Sequence, residues 1–223
     1  MTCGARLTTN YMRIGGVAFD PPVEFWPALQ ELVDELPDRI DEYHELLVSN
    51  EVFLARTRGV GVISPEDAIN ASLTGPVLRG SGIPWDLRKA DPYSVYDRME
   101  FDVVVGKSGD VYDRFMVRMS ELYQSVKIIK QAMSQIPSGA HKTDIPLALR
   151  PDEGEIYSRI ESPRGEIGFF LVSDGGPSPY RFHLRAPSLI NLSLLHELGR
   201  DAALSDAIVT LGSLDIVVGE IDR

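Results

Sequence analysis

Apolar residues recur at alternating spacings of three and four through Trp26, Leu29, Val33, Leu36, Ile40, Tyr43 and Leu47. That period predicts an amphipathic helix within residues 22–57, with Asp34, Glu35, Asp38, Asp41, Glu42 and Glu45 on its wet face. Pro21 and Pro22 stand where a helix start tolerates them. Pro37 lies inside the pattern, lacks a backbone donor and crowds the preceding turn, which predicts a kink or two abutting helices there. Gly59 and Gly61 end the element. The same period returns at Val111, Phe115, Met119, Leu122, Val126, Ile129, Met133 and Ile136. It predicts a helix over 110–136 of about seven turns, roughly 40 Å long, a length suited to a bundle. Between them, Ser64-Pro65-Glu66-Asp67 reads as a helix start, with Ser as cap and acids at the positive end of the dipole. That helix is expected to stop before Gly75-Pro76, and the glycines and proline of 79–86 predict a loop.

After a polar connection over 138–153, the period changes to two. Residues 156–161, 165–173 and 180–185 read as three short strands, with Asp174-Gly175-Gly176-Pro177 as a turn. Pro187-Ser188 opens a helix expected over 187–200, and a shorter one follows near 204–211. The stretch 214–221 is apolar and then charged; such a tail frays unless docked. Docking is expected to bury Asp215 and to bring Val217 into an interior. The fold class expected is mainly α (α+β): a long-helix bundle with a small antiparallel β element near 154–186, one domain over 1–223.

Composition narrows the function. The chain has 223 residues, 43% hydrophobic and 25% charged, which is ordinary for a globular protein and excludes wholesale disorder. Twenty-two Lys and Arg against 33 Asp and Glu give a net charge of −11, a poor footprint for nucleic acid. The one cysteine, Cys3, makes no internal disulfide or multi-cysteine metal site and suits a reducing compartment. No apolar run approaches the roughly 20 residues of a membrane span. Residues 1–20 hold Arg6 and Arg13 but no continuous apolar stretch, so no secretory signal is expected. His44, His141, His183 and His196 form no HExxH pair, and neither a G-x-S-x-G elbow nor a phosphate-binding loop is present. Gly80-Ser81-Gly82 lacks the rest of a dinucleotide fingerprint. Arg13-Ile14-Gly15-Gly16-Val17 reads as a turn, and Trp85-Asp86-Leu87-Arg88-Lys89 as a salt-bridged loop.

Longer strings carry more. They are Gly4-Ala5-Arg6-Leu7, Tyr11-Met12-Arg13-Ile14-Gly15-Gly16-Val17, RGVGVISPEDAINASL over 58–73 and GPVLRGSGIPWDLRK over 75–89. PYSVYDRMEFD (92–102), ESPRGEIG (161–168), LVSDGGPSPY (171–180) and DIVVGEIDR (215–223) continue the series. Together they resemble the D-subunit family of the NADH–quinone oxidoreductases, respiratory complex I, along nearly the whole chain. That family shares its fold with the large subunit of nickel–iron hydrogenases, in which an Asp-Pro-Cys-x-x-Cys near the C-terminus holds the metal. Here the frame reads Asp215-Ile216-Val217-Val218-Gly219-Glu220. Val217 and Glu220 replace both thiols, so a working nickel site is excluded by its ligands. The resemblance covers the C-terminal half of such a protein. The N-terminal portion, with the family's quinone-binding histidine and tyrosine, is expected to be missing.

The resemblance implies a cavity turned toward quinone, beside an iron–sulfur cluster held by the B subunit of the complex. Arg79, Asp215 and Val217 are the residues it places at that cavity; the alternative for Val217 is plain core packing. Arg6, Thr8 and Arg13 fall near the partner's cluster, with structural ion pairs as the alternative for the two arginines. Some members carry a titrating histidine where this chain has Thr8, which takes up no proton near neutral pH. A weak pH dependence of the cluster potential is expected from this position; a steep slope abolished by Thr8→Val would contradict it. No catalytic residue, metal ligand or cofactor of this chain alone is implied, quinone being substrate and NADH being used elsewhere in the complex. Expected partners are the iron–sulfur B subunit, the C subunit and, through the complex, the membrane arm. The expected location is peripheral, on the cytoplasmic side of a bacterial cell membrane. Two rivals remain: a scaffold without quinone chemistry, and the same protein in a ferredoxin- or formate-linked membrane complex.

Overall fold

The computed structural model describes Gly4, residues 9–146 and residues 148–222. A two-residue-per-strand hairpin, β1 (Met12–Arg13) and β2 (Gly16–Val17), precedes α1 (Phe25–Val48) and α2 (Glu51–Thr57). Short helices α3 (Pro65–Asn70), α4 (Gly75–Gly80) and α5 (Leu87–Ala90) lead to the long α6 (Val111–Gln135). Strands β3 (Gly154–Ser162), β4 (Gly165–Ser173) and β5 (Arg181–Arg185) follow, then α7 (Pro187–Ser193), α8 (Leu195–Leu198), α9 (Leu204–Leu214) and α10 (Val218–Ile221). The architecture is mainly helical with a small antiparallel sheet, as expected. No helix among the described residues is long and apolar enough to cross a membrane.

The two periodic segments pack on each other. Val33 and Ile40 of α1 and Met119 and Val126 of α6 are buried together, with Leu29, Leu36, Phe115, Tyr123 and Ile129 around them. Burying each such side chain stabilises by about 1.5–3 kcal/mol. Tyr123 Oη donates to Asp41 at 2.6 Å and Lys130 pairs with Asp34 at 3.2 Å, so rising numbers on α1 meet falling numbers on α6 and the pair is antiparallel. Asp110 caps α6 by accepting the Asp113 N–H at 2.8 Å, and Ser64 caps α3 by accepting the Asp67 N–H at 3.0 Å.

Three elements differ from the sequence expectation. Helix α1 runs through Pro37, with Val33 and Ile40 anchored on either side. The break falls instead at Asn50, which is extended and accepts the N–H groups of Val52 (2.9 Å) and Phe53 (3.2 Å) as a cap for α2. Helix α3 stops before Gly75-Pro76 as expected, but that pair opens a further helix where a loop is expected to follow, because Pro at the first turn forfeits only a donor that is unsatisfied anyway. The expected loop over 79–86 therefore begins inside α4. The expected helix 187–200 is two pieces, α7 and α8, joined at Leu194.

A second core holds Ile63, Ala68, Leu73, Val77, Leu78 and Leu214, with Ile190, Leu194, Leu195, Leu198 and Ile216 against it. It locks α3 and α4 to the C-terminal helices. Strands β3 and β4 pair from Gly154↔Ser173 to Ser162↔Gly165, leaving Pro163 and Arg164 as a two-residue tip. Gly75 has φ +70, and a Cβ there would meet the Gly165 backbone at 2.5 Å. The sheet tip thus rests on the start of α4, bringing the end of β3 beside Arg79.

Candidate functional site

Helix α4 is buried throughout, and it carries a charge inward: Arg79 is 2% exposed. Its Nε donates to Glu121 Oε1 of α6 at 2.6 Å, and its Nη1 donates to Glu161 Oε1 at the end of β3 at 2.8 Å and to the Trp85 carbonyl at 2.9 Å. Asp86 Oδ2 lies 3.8 Å from the same Nη1. Asp86 caps α5 by accepting the Arg88 N–H at 3.0 Å, and its carboxylate also receives Arg88 Nε at 3.0 Å and Nη2 at 2.6 Å. The Arg88 guanidinium lies 4.8 Å from the centre of the Phe101 ring. Asp86 is buried, and the Glu161 side chain is 3% exposed.

Burial disfavours the charged form of every one of these groups, and the partners decide the net direction. Burial lowers the Arg79 pKa, but Glu121 and Glu161 outweigh it and the guanidinium is held above its usual range. Burial raises Asp86, but the bonds from Arg88 and the charge of Arg79 outweigh it and hold the carboxyl below its usual range. For Glu161 burial wins over Arg79, and the carboxyl is pushed up.

This cluster forms one wall of a cavity of about 460 Å³, lined also by Arg118, Leu122, Pro163 and Asp215. Its size falls in the range of small-molecule sites. Asp215 terminates α9 with left-handed backbone (φ 53°, ψ 53°), where glycine is the usual occupant. Its carboxylate receives Arg164 Nη2 at 3.2 Å and lies 3.9 Å from Arg118 Nε. Burial lowers the Arg118 pKa, with Asp215 opposing the shift. Cationic and anionic side chains therefore alternate around the cavity, an arrangement able to hold a polar ring and to respond to charge arriving on it.

Of the residues the sequence singles out, Arg79 and Asp215 meet at this cavity. Asp215 is only partly covered, its side chain 40% exposed. Val217 does not line the cavity and is 38% exposed, so the tail docks without taking it into an interior; its N–H donates to Ser188 Oγ at 3.3 Å. Ser188 Oγ in turn donates to the Glu220 carboxylate. Arg13 lies in the exposed hairpin, where its Nε donates to the Asn10 carbonyl at 3.2 Å, and it lines a separate polar hollow with Lys142 and Asp144. Arg6 and Thr8 lie outside the described residues. A mostly apolar groove of about 500 Å³ lies elsewhere, between the start of α1 and the end of α6. Phe25, Trp26, Leu29, Ile129, Met133 and Ile136 line it, and it shares no residue with the charged cavity. Among the described residues no three His, Cys, Asp or Glu side chains are grouped to hold a metal. Val217 has no donor atom for nickel.

Arg118, Glu121 and Arg164 also belong to the site, although the sequence did not single them out. The first two stand in a polar stripe, Arg114, Arg118, Glu121 and Ser125, whose helical spacing was the available signal. Arg164 sits at the tip of a two-residue hairpin turn within the string ESPRGEIG.

The family model described as "Respiratory-chain NADH dehydrogenase, 49 Kd subunit" matches residues 1–153 and 145–223. The chain belongs to that family. Curated relatives agree. The D subunit of the NADH-quinone oxidoreductase of Dehalococcoides mccartyi (strain ATCC BAA-2266 / KCTC 15142 / 195) is 52% identical over 223 residues, all of this chain and 61% of the relative. The first of the numbered D subunits of Roseiflexus sp. (strain RS-1) is 50% identical, with all of this chain and 62% of the relative covered. The D subunit of Bacillus mycoides (strain KBAB4) is 48% identical, with 99% and 60% covered. The chain spans about three-fifths of the length of these members of the 49 Kd family.

Proposed function

We propose that this chain is a peripheral-arm component of a proton-translocating NADH–quinone oxidoreductase and walls the place where quinone is reduced. The observation that carries this reading is the buried Arg79 cluster opening, together with Asp215, on a cavity of small-molecule size. Electrons would arrive from NADH through other subunits and leave an iron–sulfur cluster held by the B subunit. Arg6, Thr8 and Arg13 would face that cluster, with the C subunit and the membrane arm completing the assembly on the cytoplasmic side. Val217, exposed two residues beyond Asp215, would offer an apolar contact for ligand or partner. Residues 1–223 would act as one unit, which the docking of the sheet tip on α4 supports.

In this reading Arg79 and Arg118 supply positive potential for the oxygen that gains charge on reduction, and Asp86 with Arg88 holds the cluster in register. Fixed charges of this kind stabilise a charged state without reorganising as it forms. A scaffold reading has one observation in its favour: Arg79 already has carboxylates on all sides, so the cluster stands as a wall without a ligand.

The test is affinity purification of the chain from its own cells, with mass spectrometry and an assay of NADH–quinone reductase activity. Recovery with a cluster-bearing partner and inhibitor-sensitive activity is expected. Recovery with that partner but without inhibitor binding would favour the scaffold. Ferredoxin- or formate-oxidising proteins in place of NADH-oxidising ones would move the chain to the related complex.

A further inference from the structure

The Arg79 guanidinium serves three carboxylates, and they are not held alike. Asp86 has a second cation, Arg88, with three hydrogen bonds from that residue. Glu121 is partly solvated, its side chain 20% exposed. Glu161 is almost fully buried. Its Oε1 shares Arg79 Nη1 with the Trp85 carbonyl, and its Oε2 takes the Leu87 N–H at a long 3.3 Å. Yet Glu161 lines the cavity, so a ligand can reach it.

We infer that Glu161 is the proton-exchanging carboxyl of the cavity, giving its proton to a ligand oxygen that gains negative charge and recovering it from water. The inference rests on the quinone-reducing reading above. Negative charge arriving in a low-dielectric cavity raises the proton affinity of any carboxylate on its wall. The groups facing Glu161 set which carboxylate responds. They are Arg79 from α4, Arg88 from α5 with Asp86 behind it, Arg118 and Glu121 from α6, and Tyr96 and Asp215 on the same cavity. Tyr93 contacts its main chain, and Glu166 is its register partner on β4. Asp86 stays ionised because two arginines hold it, whereas Glu161 sits between acids with a shared cation. Their pKa directions are opposed accordingly, Glu161 up and Asp86 down. Such a separation within one cluster is how carboxyl groups divide proton transfer from fixed charge.

A quinone takes two electrons from the partner's iron–sulfur cluster and two protons to become a quinol. One proton leaves Glu161 as its O–H bond breaks and an O–H bond forms on the ligand oxygen; Arg79 stabilises the carboxylate left behind. Water returns a proton to Glu161, and the second quinol proton comes from solvent.

Two measurements test this. In a ¹³C carboxyl NMR titration of the full 223-residue chain, one glutamate resonance is expected to titrate above the ordinary carboxylate range and to vanish in Glu161→Gln. A Glu161 resonance at or below that range overturns the inference. In the complex purified from cells, Glu161→Gln is expected to lower quinone reduction by about 100-fold, the lower end of general-acid contributions. The pH dependence of the rate is expected to flatten, and Glu161→Asp to restore part of both. An assembled Glu161→Gln complex with the parent rate and pH profile overturns the inference. Where Glu161→Gln does not assemble, the NMR titration and Glu161→Asp decide. A parent complex without inhibitor-sensitive quinone reduction overturns the quinone reading itself and the inference with it, an outcome separate from a failed titration.

Discussion

Arg79 illustrates how a residue can be legible in a sequence while its role is not. It stands in a conspicuous Gly- and Pro-rich string, yet nothing in that string announces three carboxylates drawn from Asp86, Glu121 and Glu161, up to 82 residues away. Removing one partner from a buried ionic cluster is expensive because the others keep their desolvation penalty. Arg79→Met is therefore expected to lower stability by about 3–5 kcal/mol, read as a shifted urea midpoint at unchanged slope; a loss under about 1 kcal/mol would mean the cluster is not buried in solution. The carboxyls also set a pH dependence. Asp86 is depressed in the fold, so its contribution is present above the ordinary carboxylate range and lost as pH falls through its folded value. Glu161 is raised, so the folded state holds more protons than the unfolded one, and stability declines as pH rises from the ordinary range to the raised value. Urea midpoints over a pH series should show that decline in the parent and not in Glu161→Gln; the same decline in both would assign it elsewhere.

At the scale of elements, legibility follows hydrophobic periodicity and fails where an element buries charge. Helix α6 and strand β4 stand out because one stripe or one alternation is apolar. The other side of α6 does not, because it carries the buried Arg114 and the half-buried Arg118, which a hydrophobic pattern scores as wet. Helices α4 and α5 are six and four residues long and dense in Gly, Pro and charge, so packing rather than propensity makes them helical. Pro37 shows the converse, a breaker overridden by anchors on both sides. Arg114 is the residue by which α6 organises these pieces. Fully buried, it donates to the carbonyls of Gly61 (2.9 Å) and Gly109 (2.8 Å) and to Ser213 Oγ (2.9 Å). Burial pushes its pKa down to about 10, which leaves it charged at neutral pH. Arg114→Met fills the space but removes three hydrogen bonds from a charged donor, each worth about 1.5–3 kcal/mol; the Gly109 carbonyl keeps the Ile63 N–H and the Ser213 hydroxyl keeps the Thr210 carbonyl. A loss of about 3–5 kcal/mol is expected, with hydrogen exchange accelerating at 59–63 and 107–111 before it does in α1. Uniform acceleration would show that Arg114 clamps nothing locally.

The whole molecule combines a strong negative charge with apolar surface, and the two pull against each other. Met12 and Ile14 of the hairpin are 83% and 74% exposed, and the apolar groove of Phe25, Trp26 and Met133 opens close by, sharing Tyr11 and Val17 with that segment. Contiguous exposed apolar surface on a soluble chain drives association. The formal charge of −11 opposes it by mutual repulsion. Repulsion between surface charges is screened over about 10 Å at 0.1 M salt and about 3 Å at 1 M, whereas apolar attraction is not weakened by salt. The isolated chain is therefore expected to sediment as monomer at low ionic strength and as larger species as salt rises, with the shift exaggerated as pH approaches the pI of about 4.8. Met12→Ser with Ile14→Ser should suppress the shift, because the hairpin pairs through backbone and neither side chain is part of a buried core. Sedimentation velocity at several salt concentrations checks it. Species that shrink with salt would instead identify the contacts as ionic, and the hairpin would then not be the surface that drives association.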